Sequence, residues 1–118
     1  MQHASGFLKI SEEAKKSIKE IDLIELRIRV ENKEDFYLVD VREKDEYEKG
    51  FISGAIHLSK GIIERDIEKI IPDKTAEIVL YCGGGHRSAL AAENLQRMGY
   101  TQVFSLIGGY RGFVCSTP

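Results

Sequence analysis

The chain has 118 residues, a length that fits a single domain. Charged residues make up 31% of it and apolar residues 42%, with a formal net charge of −2, which is typical of an ordinary globular protein and argues against disorder or nucleic-acid binding. No apolar run approaches the roughly 18 residues of a membrane span, and the first residues lack a signal-peptide pattern, so we expect a cytoplasmic monomer without a membrane or nucleic-acid partner.

The amino-terminal part of the chain predicts two helices and a strand. Ser11-Glu12-Glu13 is typical of a helix start, which predicts a helix from there to about Lys19 and a helical extension over residues 1–19. An apolar stretch near Ile21 leads to a second predicted helix over 23–30. The compact apolar run over 36–41, bounded by charged residues, predicts a buried strand.

The rest of the chain alternates predicted helices and strands. These are a helix over 44–49, a strand over 55–58, a helix over 62–71, a strand over 77–81, a helix over 88–95 and a strand over 103–106. Strands that alternate with helices predict an α/β fold with a central, mainly parallel sheet and helices on both faces. Ligands of such sheets bind beyond the carboxyl ends of the strands, where Cys82 is expected.

The two cysteines have different surroundings. Cys82 precedes a run of glycines, whereas Cys115 is three residues from the end of the chain. We expect no structural disulfide, because two cysteines are too few for a disulfide scaffold. We expect no metal or cofactor either, because Cys-x-x-Cys is absent and His3, His57 and His86 are scattered. Cys82 is therefore a candidate for nucleophilic or redox chemistry.

The segment after the strand over 77–81 has the composition of an anion-binding loop. It contains Cys82, Gly83, Gly84, Gly85, His86, Arg87 and Ser88. Glycines let backbone N–H groups converge, and the start of the next helix adds positive potential, which also favours a Cys82 thiolate. Arg87 contributes a permanent cation with a planar fork that suits an oxyanion or a carboxylate. A simple turn would explain neither the three glycines nor the arginine.

Three segments resemble the signatures of the rhodanese homology domain. Residues 82–88 are similar to its active-site loop Cys-x-x-Gly-x-Arg-Ser, and residues 108–113 are similar to its closing Gly-Gly-x-x-x-Trp. Between residues 40 and 58, Asp-Val-Arg, Glu-Tyr and Gly-Phe-Ile-Ser-Gly-Ala resemble its Asp-x-Arg and Gly-His-Ile-Pro-Gly-Ala. The match covers about residues 20–114, which leaves 115–118 as a tail. Phe51, Ser53 and Phe113 depart from the family's usual residues, but none of these departures removes a catalytic group.

The resemblance implies a rhodanese-like fold and a two-step sulfurtransferase reaction. Cys82 would take a sulfane sulfur from a donor such as thiosulfate and pass it, through a persulfide, to cyanide or a thiol. Backbone N–H groups of residues 83–88 would hold the persulfide, and Arg87 would pair with a buried carboxylate, for which Asp40 is our candidate. The partners would be small molecules, with a protein sulfur relay as a further option.

Two other functions are compatible with parts of this pattern. Dual-specificity phosphatases and arsenate reductases resemble the family in fold and anion loop, but five residues separate their cysteine and arginine, whereas four separate Cys82 from Arg87. The shorter loop disfavours a tetrahedral phosphate or arsenate. A non-catalytic interaction module is the other alternative, but degenerate rhodanese-like domains typically lose the cysteine that this chain keeps.

Several other polar side chains are weaker candidates for the site. His86 could contact a donor or stand in solvent. Arg42 could orient a substrate anion or pair with Glu46 four residues on, and we favour the structural pair. The helix after residue 58 could border the site, although a solvated face is favoured for its charged residues Lys60, Glu64 and Arg65. Cys115 could resolve a persulfide, but its position favours an incidental cysteine.

Overall fold

A five-stranded parallel sheet lies at the centre of the computed structural model, which describes residues 3–116. The strands are β1 (Lys19–Ile21), β2 (Tyr37–Asp40), β3 (Ile56–His57), β4 (Glu77–Tyr81) and β5 (Gln102–Leu106). Their order across the sheet is β1-β5-β4-β2-β3, and each neighbouring pair is parallel. The predicted α/β fold with a central parallel sheet is confirmed.

Six helices accompany the sheet in this described part of the chain. They are α1 (Ser5–Ser17), α2 (Leu23–Glu31), α3 (Lys44–Glu48), α4 (Ile63–Ile70), α5 (His86–Arg97) and α6 (Gly109–Ser116). Each is too short or too polar to cross a membrane.

The alternation of side chains along β4 builds two apolar cores. Ile78 and Leu80 belong to a buried cluster with residues of α4 and α5, whereas Val79 and Tyr81 belong to a second cluster that α2 and α6 contact. Neighbouring residues of a strand point to opposite faces of a sheet, which explains the division. Cys82 is the next residue in this alternation and belongs to the cluster on the α5 side.

The amino-terminal helix begins earlier than the sequence predicts. It starts at Ser5, so Ser11, the predicted first residue, lies inside α1 and is fully buried. The Ser11 hydroxyl donates to the Leu8 carbonyl at 3.2 Å and lies 3.1 Å from Nδ1 of His86. Ser11 therefore contacts the distant residue His86 and does not cap the helix. A local capping pattern does not reveal such a contact.

The carboxyl-terminal helix α6 is absent from the sequence-based prediction. Its glycines lower helix propensity, and Gly109 adopts a positive φ of 54°. The helix is fixed from outside, because Tyr110 N donates to the Cys82 carbonyl at 2.7 Å and Arg111 N donates to the Gly83 carbonyl at 3.0 Å. A Cβ at Gly109 would collide with the Cys82 carbonyl, so glycine is required for this close approach.

Candidate active site

The sulfur of Cys82 lies at the centre of the loop that joins β4 to α5. It accepts hydrogen bonds from Gly85 N at 3.1 Å and from Ser88 N at 3.3 Å, and it lies 3.5 Å from the Ser88 hydroxyl. Gly85 has a φ of 104°, which turns the chain into α5 and directs these N–H groups at the sulfur. The loop therefore places two backbone N–H groups against the sulfur of the cysteine.

These donors change the acidity of the thiol. Burial alone would raise the pKa of Cys82, because it disfavours the charged form. The Ser88 hydroxyl and the N–H groups of Ser88, Gly85 and Gly84 outweigh burial and hold the pKa of Cys82 below its ordinary value. The arrangement therefore stabilises a thiolate, which is the nucleophilic form of cysteine.

Replacing Ser88 with alanine should make Cys82 a weaker acid. In a Cys115→Ser background, we expect the pH profile of iodoacetamide alkylation to move to higher pH, with a roughly two- to fivefold slower reaction near neutral pH. Ser105→Ala is the matched control, because Ser105 contacts the Ser88 hydroxyl at 2.8 Å and makes no hydrogen bond to the Cys82 sulfur. Superimposable profiles for Ser88→Ala and the parent would contradict this role of the hydroxyl.

Arg87 pairs with Glu46 of α3, so the predicted pairing with Asp40 is wrong. Its Nη1 and Nη2 atoms donate to the two Glu46 carboxylate oxygens at 2.7 and 3.0 Å. The same contact lowers the pKa of Glu46. This bidentate pair clamps the start of α5 to α3. In the sequence Glu46 belongs to the Glu-Tyr pair that resembles the family signature, and local spacing favours Arg42 as its partner.

Asp40 pairs with Arg42 instead, and both side chains are buried. Nη2 of Arg42 donates to Asp40 Oδ2 at 2.8 Å, and its Nε lies 3.1 Å from Oδ1. The favoured Arg42–Glu46 pair is therefore wrong. Arg42 also donates to the Gly50 carbonyl at 2.6 Å and stacks 4.1 Å from the ring centre of Tyr110. The Asp40–Arg42 pair has a structural role, because it joins the end of β2 to α6.

A cavity of about 300 Å³ opens over Cys82. The other described residues that line it are His3, Phe7, Glu46, Gly84, His86, Arg87 and Arg111. Five of these eight lining residues lie between Glu46 and Arg87, and Arg111 lies in the segment 108–113 that resembles the closing family signature. His3, Phe7 and Arg111 come from the two ends of the chain, and their place in the site was not predicted.

The amino-terminal segment forms an aromatic wall of this cavity. The His86 ring centre lies 4.9 Å from that of His3 and 5.8 Å from that of Phe7. Burial, followed by the nearby Lys15, lowers the pKa of His86 and favours its neutral form. His86 thus faces the cavity and is held by α1. No periodicity in the sequence indicated that α1 packs against α5.

Arg111 of α6 lies against the glycine turn of the loop. A Cβ at Gly84 would collide with its guanidinium, and a Cβ at Gly83 would lie 3.5 Å from its Nη1 atom and 3.0 Å from Nη2 of Arg87. Glycine at positions 83 and 84 therefore leaves space for the guanidinium groups of Arg87 and Arg111. Glycine here also lets the backbone N–H groups of the loop converge. Arg111 falls inside the closing Gly-Gly motif, which is the signal that could have identified it.

The weaker helix candidates lie away from this cavity. Glu64 accepts a hydrogen bond from Asn94 at 2.8 Å and lines a separate surface depression, and Arg65 pairs with Asp66 at 2.7 Å. Lys60 is not among the described residues that line the Cys82 cavity. Cys115 is exposed on α6 and is unpaired, as is Cys82. Across residues 3–116, His, Cys, Asp and Glu side chains form no cluster of three suited to a metal ion.

Comparisons with known sequences identify the family. The family model for the rhodanese-like domain matches residues 12–115. Thiosulfate sulfurtransferase GlpE of Coxiella burnetii (strain RSA 331 / Henzerling II) is 36% identical over 86 residues, which cover 73% of this chain and 78% of GlpE. YrkF of Bacillus subtilis (strain 168), whose given name proposes a sulfur carrier protein, is 33% identical over 107 residues. These cover 91% of this chain but only 57% of YrkF.

Solved structures show the same architecture. RPA3614 of Rhodopseudomonas palustris CGA009, described as a protein of unknown function and possible tyrosine phosphatase, aligns with a TM-score of 0.85 at 28% identity. The alignment covers 98% of this chain and 95% of RPA3614. Human single domain sulfurtransferase TSTD1 aligns with a TM-score of 0.75 at 24% identity, over 84% of this chain and 97% of TSTD1, and supports the fold. The chain belongs to the rhodanese-like domain family.

Proposed function

We propose that the protein is a sulfurtransferase that carries sulfur as a Cys82 persulfide. In the first step the Cys82 thiolate attacks the outer sulfur of thiosulfate, a Cys82 S–S bond forms, the S–S bond of thiosulfate breaks, and sulfite leaves with the electron pair. In the second step cyanide or a thiolate takes the outer sulfur and restores the Cys82 thiolate. The hydrogen bonds that Gly85 and Ser88 direct at the sulfur are the observation that carries the proposal.

The space above Cys82 is consistent with this chemistry. The cavity of about 300 Å³ is far larger than the roughly 10–15 Å³ that a cavity needs to hold one water molecule. A small donor and the added sulfur atom therefore fit over the thiolate. GlpE, a relative at 36% identity, is named as a thiosulfate sulfurtransferase, which supports thiosulfate as the first donor to test.

The alternative phosphatase chemistry has less support. Four residues separate Cys82 from Arg87, one fewer than in the phosphatases with a similar loop. The bidentate pair with Glu46 also occupies both terminal nitrogens of Arg87, which a phosphate would need. The words "possible tyrosine phosphatase" describe RPA3614, which is 28% identical to this chain, and no contact at Cys82 adds support for that activity here.

The acceptor in the second step must reach a recessed sulfur. The Cys82 residue is only 1% exposed, so the acceptor has to be a small thiophile or a thiol on a protruding segment of a sulfur-relay protein. We place the protein in a reducing compartment such as the cytoplasm, a proposal that its two unpaired cysteines support. A monomer is sufficient for the proposed reaction, because this chain supplies the cysteine and the loop.

Intact mass spectrometry tests the proposed function directly. After incubation with thiosulfate and removal of excess donor, we expect the mass to rise by one sulfur atom, and cyanide should then return it to the starting value. Cys115→Ser should behave like the parent, whereas Cys82→Ser should gain nothing. A parent protein that gains no sulfur from thiosulfate or from an organic persulfide would overturn the proposal.

Arg87→Lys should slow sulfur transfer by roughly ten- to a hundredfold. Lysine keeps one positive charge but loses the two-point contact with Glu46, so the loop should loosen at a cost of about 1.5–3 kcal/mol in transition-state stabilisation. The measurement is kcat/KM for thiosulfate. Arg65→Lys is the matched control, because Arg65 makes an equivalent two-point contact with Asp66 on α4, outside the cavity. Equal rates for Arg87→Lys and the control would contradict the clamp.

A further inference from the structure

The charged groups around the cavity are unevenly compensated. Arg87 and Glu46 neutralise each other through their bidentate contact. Arg111 also lines the cavity, but it forms no ion pair with any carboxylate of residues 3–116. Among the described residues that line the cavity, Arg111 is therefore the arginine whose positive charge is available to a ligand.

The position of Arg111 is fixed by its own helix. Its backbone N–H donates to the Gly83 carbonyl at 3.0 Å, and its guanidinium lies against Gly83 and Gly84. These glycines directly follow Cys82, so the cation sits beside the entrance to the sulfur. A dianion such as thiosulfate approaching a thiolate is repelled, and a permanent cation beside its path offsets this repulsion.

We infer that Arg111 is the residue that binds the anionic end of the sulfur donor and directs its outer sulfur toward Cys82. This inference rests on the proposed sulfur transfer and assigns a specificity role to a residue outside the active-site loop. The donor class that follows is a sulfane-sulfur anion, such as thiosulfate or a thiosulfonate, whose charged group contacts α6. In the first step the charged group leaves as sulfite or a sulfinate, and Arg111 contacts that leaving group.

Two alkylating reagents of similar size and different charge test this inference without sulfur transfer. Iodoacetate is an anion and iodoacetamide is neutral. The rate of Cys82 alkylation by iodoacetate divided by the rate with iodoacetamide therefore reports the local charge at the entrance. In a Cys115→Ser background, Arg111→Gln should reduce this ratio by about three- to tenfold, and Arg111→Lys should retain most of it. Arg97→Gln is the matched control, because it removes one positive charge at the far end of α5.

Steady-state kinetics provide the second measurement. Arg111→Gln should raise KM for thiosulfate by a similar factor, whereas the transfer of sulfur from the preformed persulfide to a neutral phosphine, which has no charge for Arg111 to attract, should change less than twofold. High salt should reduce the difference between the parent and Arg111→Gln, because exposed charges are screened. A glutamine variant that retains either the parental alkylation ratio or the parental KM would overturn the inference.

The two proposals can fail separately. If the parent forms a persulfide but Arg111→Gln leaves the alkylation ratio unchanged, the role of Arg111 is wrong and the sulfur transfer stands. If the parent forms no persulfide but the ratio falls in Arg111→Gln, the sulfur transfer is wrong and Arg111 remains an anion-binding residue of another reaction, which overturns the donor role. Far-UV circular dichroism of each variant confirms that folding is retained.

Discussion

Cys82→Ser should abolish sulfur transfer and leave the fold intact. A serine hydroxyl cannot form a stable persulfide and is scarcely ionised near neutral pH, so both steps are lost. Serine is close in size to cysteine and can accept the hydrogen bonds that Gly85 and Ser88 now donate to the sulfur. The measurement is thiocyanate formation from thiosulfate and cyanide, with urea unfolding as the check on stability.

The second cysteine provides the control for this prediction. Cys115 is exposed on α6 and is absent from the residues that line the cavity, so Cys115→Ser should keep most of the activity. Transfer near the parental rate in Cys82→Ser would exclude Cys82 as the sulfur carrier. A comparable loss in both variants would indicate a two-cysteine redox mechanism instead.

Asp40→Asn should lower the free energy of unfolding by about 3–5 kcal/mol, because it leaves the buried Arg42 guanidinium without a charged partner. The side chains of Arg42 and Asp40 are only 5% and 0% exposed, so water cannot replace the lost carboxylate. A domain of this size is stabilised by about 5–15 kcal/mol in total, so the loss is a large fraction. The chain has no tryptophan, so urea unfolding should be followed by far-UV circular dichroism.

Two controls isolate the buried charge. Asp66→Asn removes a carboxylate from the exposed pair with Arg65 and should change stability by no more than about 1 kcal/mol. The double variant Asp40→Asn/Arg42→Met should regain part of the loss, because no unpaired charge remains buried. If Asp40→Asn is as mild as Asp66→Asn, the buried pair does not stabilise this fold as we argue.

The sequence was sufficient for the fold class and for the loop around Cys82. Strand and helix periodicity and glycine positions are local signals, as is Pro72 directly after the predicted helix over 62–71, and they place most helix and strand ends within two residues of those observed. The segment from Cys82 to Ser88 is also local, since its N–H groups reach a sulfur only three to six residues away. Contacts of such short range follow from backbone geometry and can be predicted without the rest of the molecule.

The pairing of charges was decided by the tertiary structure. Local spacing favoured Arg42 with Glu46 and strand position favoured Arg87 with Asp40, but the observed partners are exchanged. Each arginine had more than one carboxylate within plausible reach, and only the packing of α3 and α6 against the sheet fixes which one it meets. The same packing brings Phe7 and Arg111, from opposite ends of the chain, to the cavity over Cys82. Contacts at this separation depend on how the helices pack. The closing Gly-Gly motif marks the segment of Arg111, but no local pattern marks Phe7.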